Sequence, residues 1–129
     1  MVNFIGHFNV VPSLPKNLEP LREIAYNLYW TWNHEAVELF RRIDRKLWEE
    51  AQHNPVIMLG KTDQKRLIEI SQDDGFLSHM NRVYNTLNNY MSEKTWYQKN
   101  HKREENQCIA YFSAEFGLTE CLQIYSGGL

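Results

Sequence analysis

Apolar residues recur at helical spacing through the first two thirds of the chain. Between positions 17 and 32 they fall three and four residues apart, which predicts one amphipathic helix from about Leu18 to Trp32. Asn17 suits the N-cap of this helix, and Pro20 falls in its first turn, where the missing N–H does no harm. The residues on the apolar face are Leu18, Leu21, Ile24, Ala25, Leu28 and Trp32.

Shorter helical segments follow, and each begins with a residue that can cap it. Asn33 and Asp44 precede two of these segments, and Asn54 followed by Pro55 reads as a cap and a first helical residue. Gly60 is predicted to end the segment that starts at Pro55. The sequence therefore predicts a series of short helices.

The most periodic stretch predicts one long helix from about Phe76 to Trp96, capped by Asp73 or Asp74. Its stripe is unbroken over four turns, which favours a core face packed on the helix from Leu18 to Trp32. The residues in the stripe are Phe76, Leu77, Met80, Val83, Tyr84, Leu87 and Met91.

The chain changes character after a polar stretch at 98–107, which is predicted to be an exposed connector. Cys108 to Phe112 is a short apolar run, typical of a strand buried on both faces. A strand followed by a glycine pair, here Gly127 and Gly128, is how doubly wound α/β domains begin a ligand site. Only residues 8–11 offer a second strand, so we expect the chain to be cut from something larger.

Composition and charge exclude several classes of function. The chain has 129 residues, with 14 basic and 16 acidic side chains, so no excess of positive charge favours nucleic acid. No apolar stretch is long enough to predict a membrane span. Two cysteines, Cys108 and Cys121, are too few for a disulfide framework and read as reduced thiols of a cytoplasmic protein. The five histidines show no metal-ligand spacing, so we expect no metal site.

Residues 109–129 resemble the first strand and glycine loop of bacterial α-glucan (glycogen or maltodextrin) phosphorylases. The preceding hundred residues resemble the helical leader of unknown function that precedes many of these enzymes. The implied fold is mainly α: a helical domain at 1–105, then the first strand and Gly-rich loop of a truncated Rossmann-like, glycosyltransferase B domain at 106–129. The matching segments of the leader are 11–15, 21–32, 39–44, 47–49 and 53–56.

The resemblance implies an enzyme that uses inorganic phosphate to release glucose 1-phosphate from an α-1,4-glucan. Such enzymes bind pyridoxal 5′-phosphate, whose phosphate group exchanges protons with the substrate phosphate. The lysine that anchors the cofactor lies far toward the carboxyl end of the family's sequences. We therefore expect this chain to hold no catalytic residue and no cofactor of its own.

The resemblance also implies residues that bind substrate. Gly127, Gly128 and Leu129 match the loop whose backbone N–H groups reach phosphate and sugar. Glycine suits this position because a backbone without Cβ can approach an anion closely. Glu115 matches a glutamate near the sugar, and Glu120 could line the same loop. The alternatives are an ordinary turn at the glycines and a surface charge at Glu115.

Three tryptophans raise a further hypothesis, because aromatic rings stack on the faces of sugars. Trp30 and Trp32 are candidate glucan contacts of the helical leader. Aromatic residues at helical spacing, Trp48 included, are more often core.

Other readings stay open. A glycogen or starch synthase also has a strand and a Gly-Gly-Leu loop, but this family carries a lysine where this chain has Tyr125, and a neutral phenol cannot pair with nucleotide phosphates. The chain could instead be a non-catalytic module that binds glucan or a neighbouring subunit. A lone strand at 108–112 would expose an edge, so we expect either a frayed tail after about Gly117 or a homo-oligomer formed by strand pairing.

Overall fold

A computed structural model describes residues 12–100, 110–113 and 117–121. The described part is helical, and it contains no strand. Two short 3₁₀ helices, Lys16–Leu18 and Leu28–Thr31, flank the first α-helix. The α-helices are α1 (Pro20–Tyr26), α2 (His34–Ile43), α3 (Arg45–Glu50), α4 (Pro55–Lys61), α5 (Gln64–Ile70), α6 (Asp74–Ser92) and α7 (Trp96–Asn100).

Four predicted caps are confirmed. The side-chain oxygens of Asn33, Asp44 and Asp73 accept hydrogen bonds from backbone N–H groups three residues later, each at 2.9 Å. Asn54 Oδ1 accepts from the N–H groups two and three residues later, at 3.0 and 3.1 Å. Each such cap typically contributes about 1 kcal/mol to stability, so these polar residues fix where α2, α3, α4 and α6 begin.

The prediction of one helix from Leu18 to Trp32 is wrong in its extent. Asn27 is extended, at φ −100° and ψ 123°, and its Oδ1 accepts from the N–H of Tyr29 at 2.9 Å. This local bond competes with the helix, so α1 ends at Tyr26 and a 3₁₀ turn begins at Leu28. Asn17 is not the N-cap either, because its Nδ2 donates to the carbonyl of Ser71 at 2.8 Å.

Two further predictions near the middle of the chain need correction. Gly60 does not end its helix; it lies inside α4, which runs to Lys61. The helix ends at Thr62 instead, whose buried hydroxyl donates to the carbonyl of Met58 at 2.9 Å. The sequence pattern did not predict α5.

The core lies where α6 packs across α1 and α2, as the long stripe predicts. Phe76, Met80, Val83 and Leu87 are buried along α6, but Met91 is 63% exposed, so the stripe ends one turn earlier than predicted. The largest fully buried side chains of the core are Trp48, Phe40, Phe76, Leu18, Leu21, Ile24, Leu39, Ile43, Met58, Leu67, Ile70 and Met80.

The end of the chain is only partly described. Residues 98–100 of the predicted connector are exposed on α7, and its remainder lies outside the described residues. Of the predicted strand at 108–112, the described residues 110–112 form no strand, and Tyr111 and Phe112 are 80% and 92% exposed. Within the described ranges there is no second strand to complete a ladder. None of the helices described is long and apolar enough to cross a bilayer.

Candidate functional site

The residues predicted to bind phosphate and sugar lie outside the described part of the chain. These are Glu115, Gly127, Gly128 and Leu129. Their roles remain predictions. The described residues allow two other groups of side chains to be placed, an aromatic surface and a histidine cluster.

Trp30 belongs to the core. Its side chain is 5% exposed, and its ring meets Trp48 edge to face, with centroids 6.3 Å apart and planes at 85°. The faces of the indole are therefore covered by protein. Of the two tryptophans proposed to contact glucan, this one has no free face for a sugar.

Trp32 lies on the surface, 56% exposed, beside Tyr90 at 58% and a buried Tyr29. The ring centroid of Tyr29 is 6.0 Å from Trp32 and 5.5 Å from Tyr90, and Trp32 and Tyr90 are 6.3 Å apart. These three residues, called the aromatic surface below, join the 3₁₀ turn after α1 to the end of α6. Mutual packing of the rings restricts their rotation, which prepares the exposed faces for a ligand.

Two amide side chains, Asn33 and Asn27, lie at or beside the aromatic surface. Asn33 Nδ2 donates to the hydroxyl of Tyr29 at 2.5 Å, and Asn27 Nδ2 lies 3.8 Å from the sulfur of Met91, the neighbour of Tyr90. An open cleft of about 450 Å³ begins at Tyr90. Its lining residues are Tyr90, Met91, Ser92, Glu93, Lys94, Thr95 and Gln98. The cleft thus combines one ring and a thioether with neutral and charged polar groups.

His53 lies between two carboxylates from distant parts of the chain. Its Nε2 is 2.8 Å from Glu49 Oε2, and its Nδ1 is 2.9 Å from Glu120 Oε2. The hydrogen bond to Glu49 raises the pKa of His53 most, and the bond to Glu120 adds to this, while partial burial opposes both. Glu49 and His53 are four residues apart, a spacing that can be read from the sequence, whereas no spacing links His53 to Glu120.

The turn that carries His53 has an unusual backbone. Gln52 and His53 have φ of 52° and 59°, the left-handed region that residues with a Cβ rarely adopt. The N–H of His53 donates to the carbonyl of Trp48 at 3.0 Å, which closes the end of α3. The imidazole stacks on Trp48, with centroids 5.4 Å apart. Backbone and ring are thus both fixed where the two carboxylates meet.

A second histidine, His79, links α2 to α6. Arg42 Nη1 lies 3.2 Å from His79 Nδ1, and Glu35 Oε2 lies 3.4 Å from Nε2 without the geometry of a hydrogen bond. Burial first, then the nearby Arg82, lowers the pKa of His79. Arg82 Nη2 also donates to Glu35 Oε2 at 2.6 Å, which lowers the pKa of that carboxyl. A neutral His79 that accepts from Arg42 fits this geometry, and we assign the group a structural role.

The described residues do not fit pyridoxal phosphate. Every lysine in the described ranges is exposed, whereas a lysine that forms a Schiff base is activated by burial or by a neighbouring cation. Nor does this part of the chain gather three or more His, Cys, Asp or Glu side chains that could hold a metal ion. The aromatic surface can contact a ligand, and the histidine cluster can form contacts that depend on protonation.

The described residues thus define a small helical protein with an aromatic surface and a histidine held between two carboxylates. Residues 14–122 match a family model described as a protein of unknown function, DUF3417. The match covers most of the chain, and the chain belongs to that family.

The relatives are α-glucan phosphorylases by name. The chain is 42% identical over 118 residues to a maltodextrin phosphorylase of Thermococcus litoralis, 39% over 130 to a glycogen phosphorylase of Mycobacterium tuberculosis, and 44% over 111 to one of Aquifex aeolicus. These alignments cover 91%, 97% and 86% of this chain. They cover 14–15% of each relative, so the chain spans about one seventh of their length. No solved structure matches the chain.

Proposed function

We propose that this chain is the amino-terminal part of an α-glucan phosphorylase, with a helical domain at 1–105 and the start of a glycosyltransferase B-type catalytic domain at 106–129. The observation that carries the proposal is the identity of 39–44% to named phosphorylases over nearly the whole chain. The full-length enzyme would use inorganic phosphate to release glucose 1-phosphate from an α-1,4-glucan, in the cytoplasm.

In that enzyme the backbone N–H groups of Gly127, Gly128 and Leu129 would bind phosphate and sugar, with Glu115 accepting from sugar hydroxyls. Pyridoxal phosphate would supply the proton donor and acceptor when bound. The lysine that anchors the cofactor would lie outside the seventh of the full-length enzyme that this chain represents. The helical domain would then contribute substrate contacts or assembly and no catalytic group.

The first prediction is that the purified chain is inactive alone. Incubated with maltodextrin and phosphate, it should release no glucose 1-phosphate, and it should not take up pyridoxal phosphate stoichiometrically by absorbance. A longer protein that carries this chain followed by a catalytic part should do both. Phosphorolysis by the chain alone, or none by the longer protein, would contradict the proposal.

A second candidate function, glucan binding by the helical domain, is favoured by the aromatic surface. Trp32 and Tyr90 are both more than half exposed, and the Asn33 amide donates to the hydroxyl of Tyr29 beneath them. Proteins commonly recognise glucans with aromatic faces and uncharged hydrogen-bonding groups. The site would hold the polysaccharide away from the catalytic cleft.

The second prediction tests this candidate by titration of the chain with maltodextrin. Trp32→Ala and Tyr90→Ala should each weaken binding by about tenfold or more, the loss expected for an aromatic anchor. Trp96→Ala is the matched control, because Trp96 is 70% exposed and lies outside the aromatic surface. Equal effects of Trp32→Ala and Trp96→Ala would rule out this surface as the glucan site.

A further inference from the structure

His53 joins the helical domain to a segment that lies 67 positions further along the chain. Glu49 belongs to α3, and Glu120 belongs to the described segment 117–121. We infer that protonated His53 is a clasp between Glu49 and Glu120, which docks segment 117–121 on the helical domain and loosens as the pH rises.

The geometry requires both ring nitrogens to donate. Each lies within 2.9 Å of a carboxylate oxygen, and an ionised carboxylate only accepts hydrogen bonds. A neutral imidazole has one N–H, so it could bond one carboxylate and would turn a lone pair toward the other. Only the imidazolium bridges both, with two charge-assisted bonds.

The ring is held in place before the segment docks. The left-handed backbone at Gln52 and His53 fixes where the side chain starts, and stacking on Trp48 fixes the plane of the imidazole. Strained backbone at residues with a Cβ persists only where its surroundings enforce it, and such strain concentrates at functional positions. This preparation lowers the entropy cost of bridging Glu120.

The segment makes a second contact beside the clasp. Cys121 packs against the hydrophobic core, and its sulfur lies 3.7 Å from the hydroxyl of Thr119. Residues from both sides line an open cleft of about 550 Å³: Glu49, Gln52, His53, Glu120 and Cys121. The segment is therefore attached at two points, one charged and one apolar.

The direction of the pH dependence follows from the groups that face the ring. These are Glu49 on α3 and, on the segment, Glu120 and Cys121. The two carboxylates raise the pKa of His53 above its ordinary value of 6.5. As long as both carboxylates are ionised, the clasp is complete up to about pH 6.5, and it is lost as the pH rises through the raised pKa of His53.

The role of the clasp is the only step of this inference that rests on the proposed function. Segment 117–121 precedes Gly127 and Gly128, so His53 would be a positioning residue for the phosphate loop of a phosphorylase. Whether the segment docks can be measured on this chain without any enzymatic assay. A failed activity test and a failed clasp are thus distinguishable.

The experiment combines His53 titration by NMR with the alkylation rate of Cys121 in a Cys108→Ser background. Glu120→Gln should lower the pKa of His53 and raise the alkylation rate at pH 6 by about two- to fivefold, the range that an exposed ion pair supports. His53→Gln should raise the rate similarly. Glu50→Gln is the matched control, since Glu50 pairs with Lys46 at 3.5 Å, one residue from Glu49.

Because the removed charge adjoins Cys121 and alters the ionisation of its thiol, each rate is divided by the rate of the same variant unfolded in urea at the same pH. The proposal is supported if the difference between wild type and Glu120→Gln shrinks as the pH is raised toward 9. It is overturned if Glu120→Gln leaves both the His53 pKa and the alkylation rate equal to those of Glu50→Gln.

Discussion

Replacing Trp48 with alanine is expected to lower the free energy of unfolding by about 3–5 kcal/mol. The side chain is 1% exposed and is surrounded by rings. Phe40 stacks on it with centroids 5.9 Å apart and planes within 5°, and Trp30 meets it edge to face. Alanine would leave a cavity between α2, α3 and the turn at His53. Urea unfolding followed by circular dichroism measures the loss.

Two further variants serve as controls for the stability loss of Trp48→Ala. Trp32→Ala removes the same side chain from the surface and should change stability by no more than about 0.5 kcal/mol. Trp48→Phe keeps a ring and removes the indole N–H, which has no hydrogen-bond partner among the described residues, so it should cost clearly less than Trp48→Ala. If Trp48→Ala costs no more than Trp32→Ala, the core is not centred on this residue.

The sequence predicted the caps well because a cap is a local interaction. Asn33, Asp44, Asn54 and Asp73 each bond a backbone N–H within three residues, and that geometry depends on little else. Asn17 has the same side chain as two of these caps, yet it bonds the carbonyl of Ser71, 54 positions away. No periodicity in the sequence reports such a contact, which exists only once the 3₁₀ helix Lys16–Leu18 lies beside the end of α5.

Some helix ends depend on tertiary contacts, which the sequence pattern does not report. Arg66 on α5 donates to the carbonyls of Ile43 and Arg42 at 2.7 and 3.1 Å, which satisfies the exposed end of α2. Helix α5 itself has seven residues, too few for its apolar spacing to stand out from a loop. Its place in the fold is set by its contacts with the end of α2.

The aromatic surface and the clasp each depend on contacts between distant parts of the chain. Helical spacing from Leu18 places Trp32 on the core face and leaves Trp30 off it, and this is wrong: α1 ends at Tyr26, and the structure buries Trp30 and exposes Trp32. Tyr90 joins Trp32 only through the packing of α6 on α1, so the aromatic surface could not be predicted as a unit. The clasp at His53 depends on Glu120, for which the sequence offers no register.

The end of the α6 stripe carries the last prediction. Spacing places Leu87 and Met91 on one face, four residues apart, and predicts that both are core. In the structure Leu87 is 4% exposed, whereas every residue from 88 to 92 is exposed. Periodicity shows which face of a helix is apolar, but the partner helices decide how far along that face is covered.

Leu87→Ala should therefore cost about 2–5 kcal/mol, because the truncation leaves a cavity against α1 and α2. Met91→Ala, one turn further on the same face, should change the free energy of unfolding by no more than about 0.5 kcal/mol. Urea unfolding of the two variants, measured side by side, shows whether the loss of stability follows burial under the partner helices or only position on the apolar face. Equal losses of more than 2 kcal/mol would mean that the packed stripe continues to Met91. A loss below about 0.5 kcal/mol for Leu87→Ala would mean that α6 does not pack on α1, and the aromatic surface, which needs that packing, would fall with it.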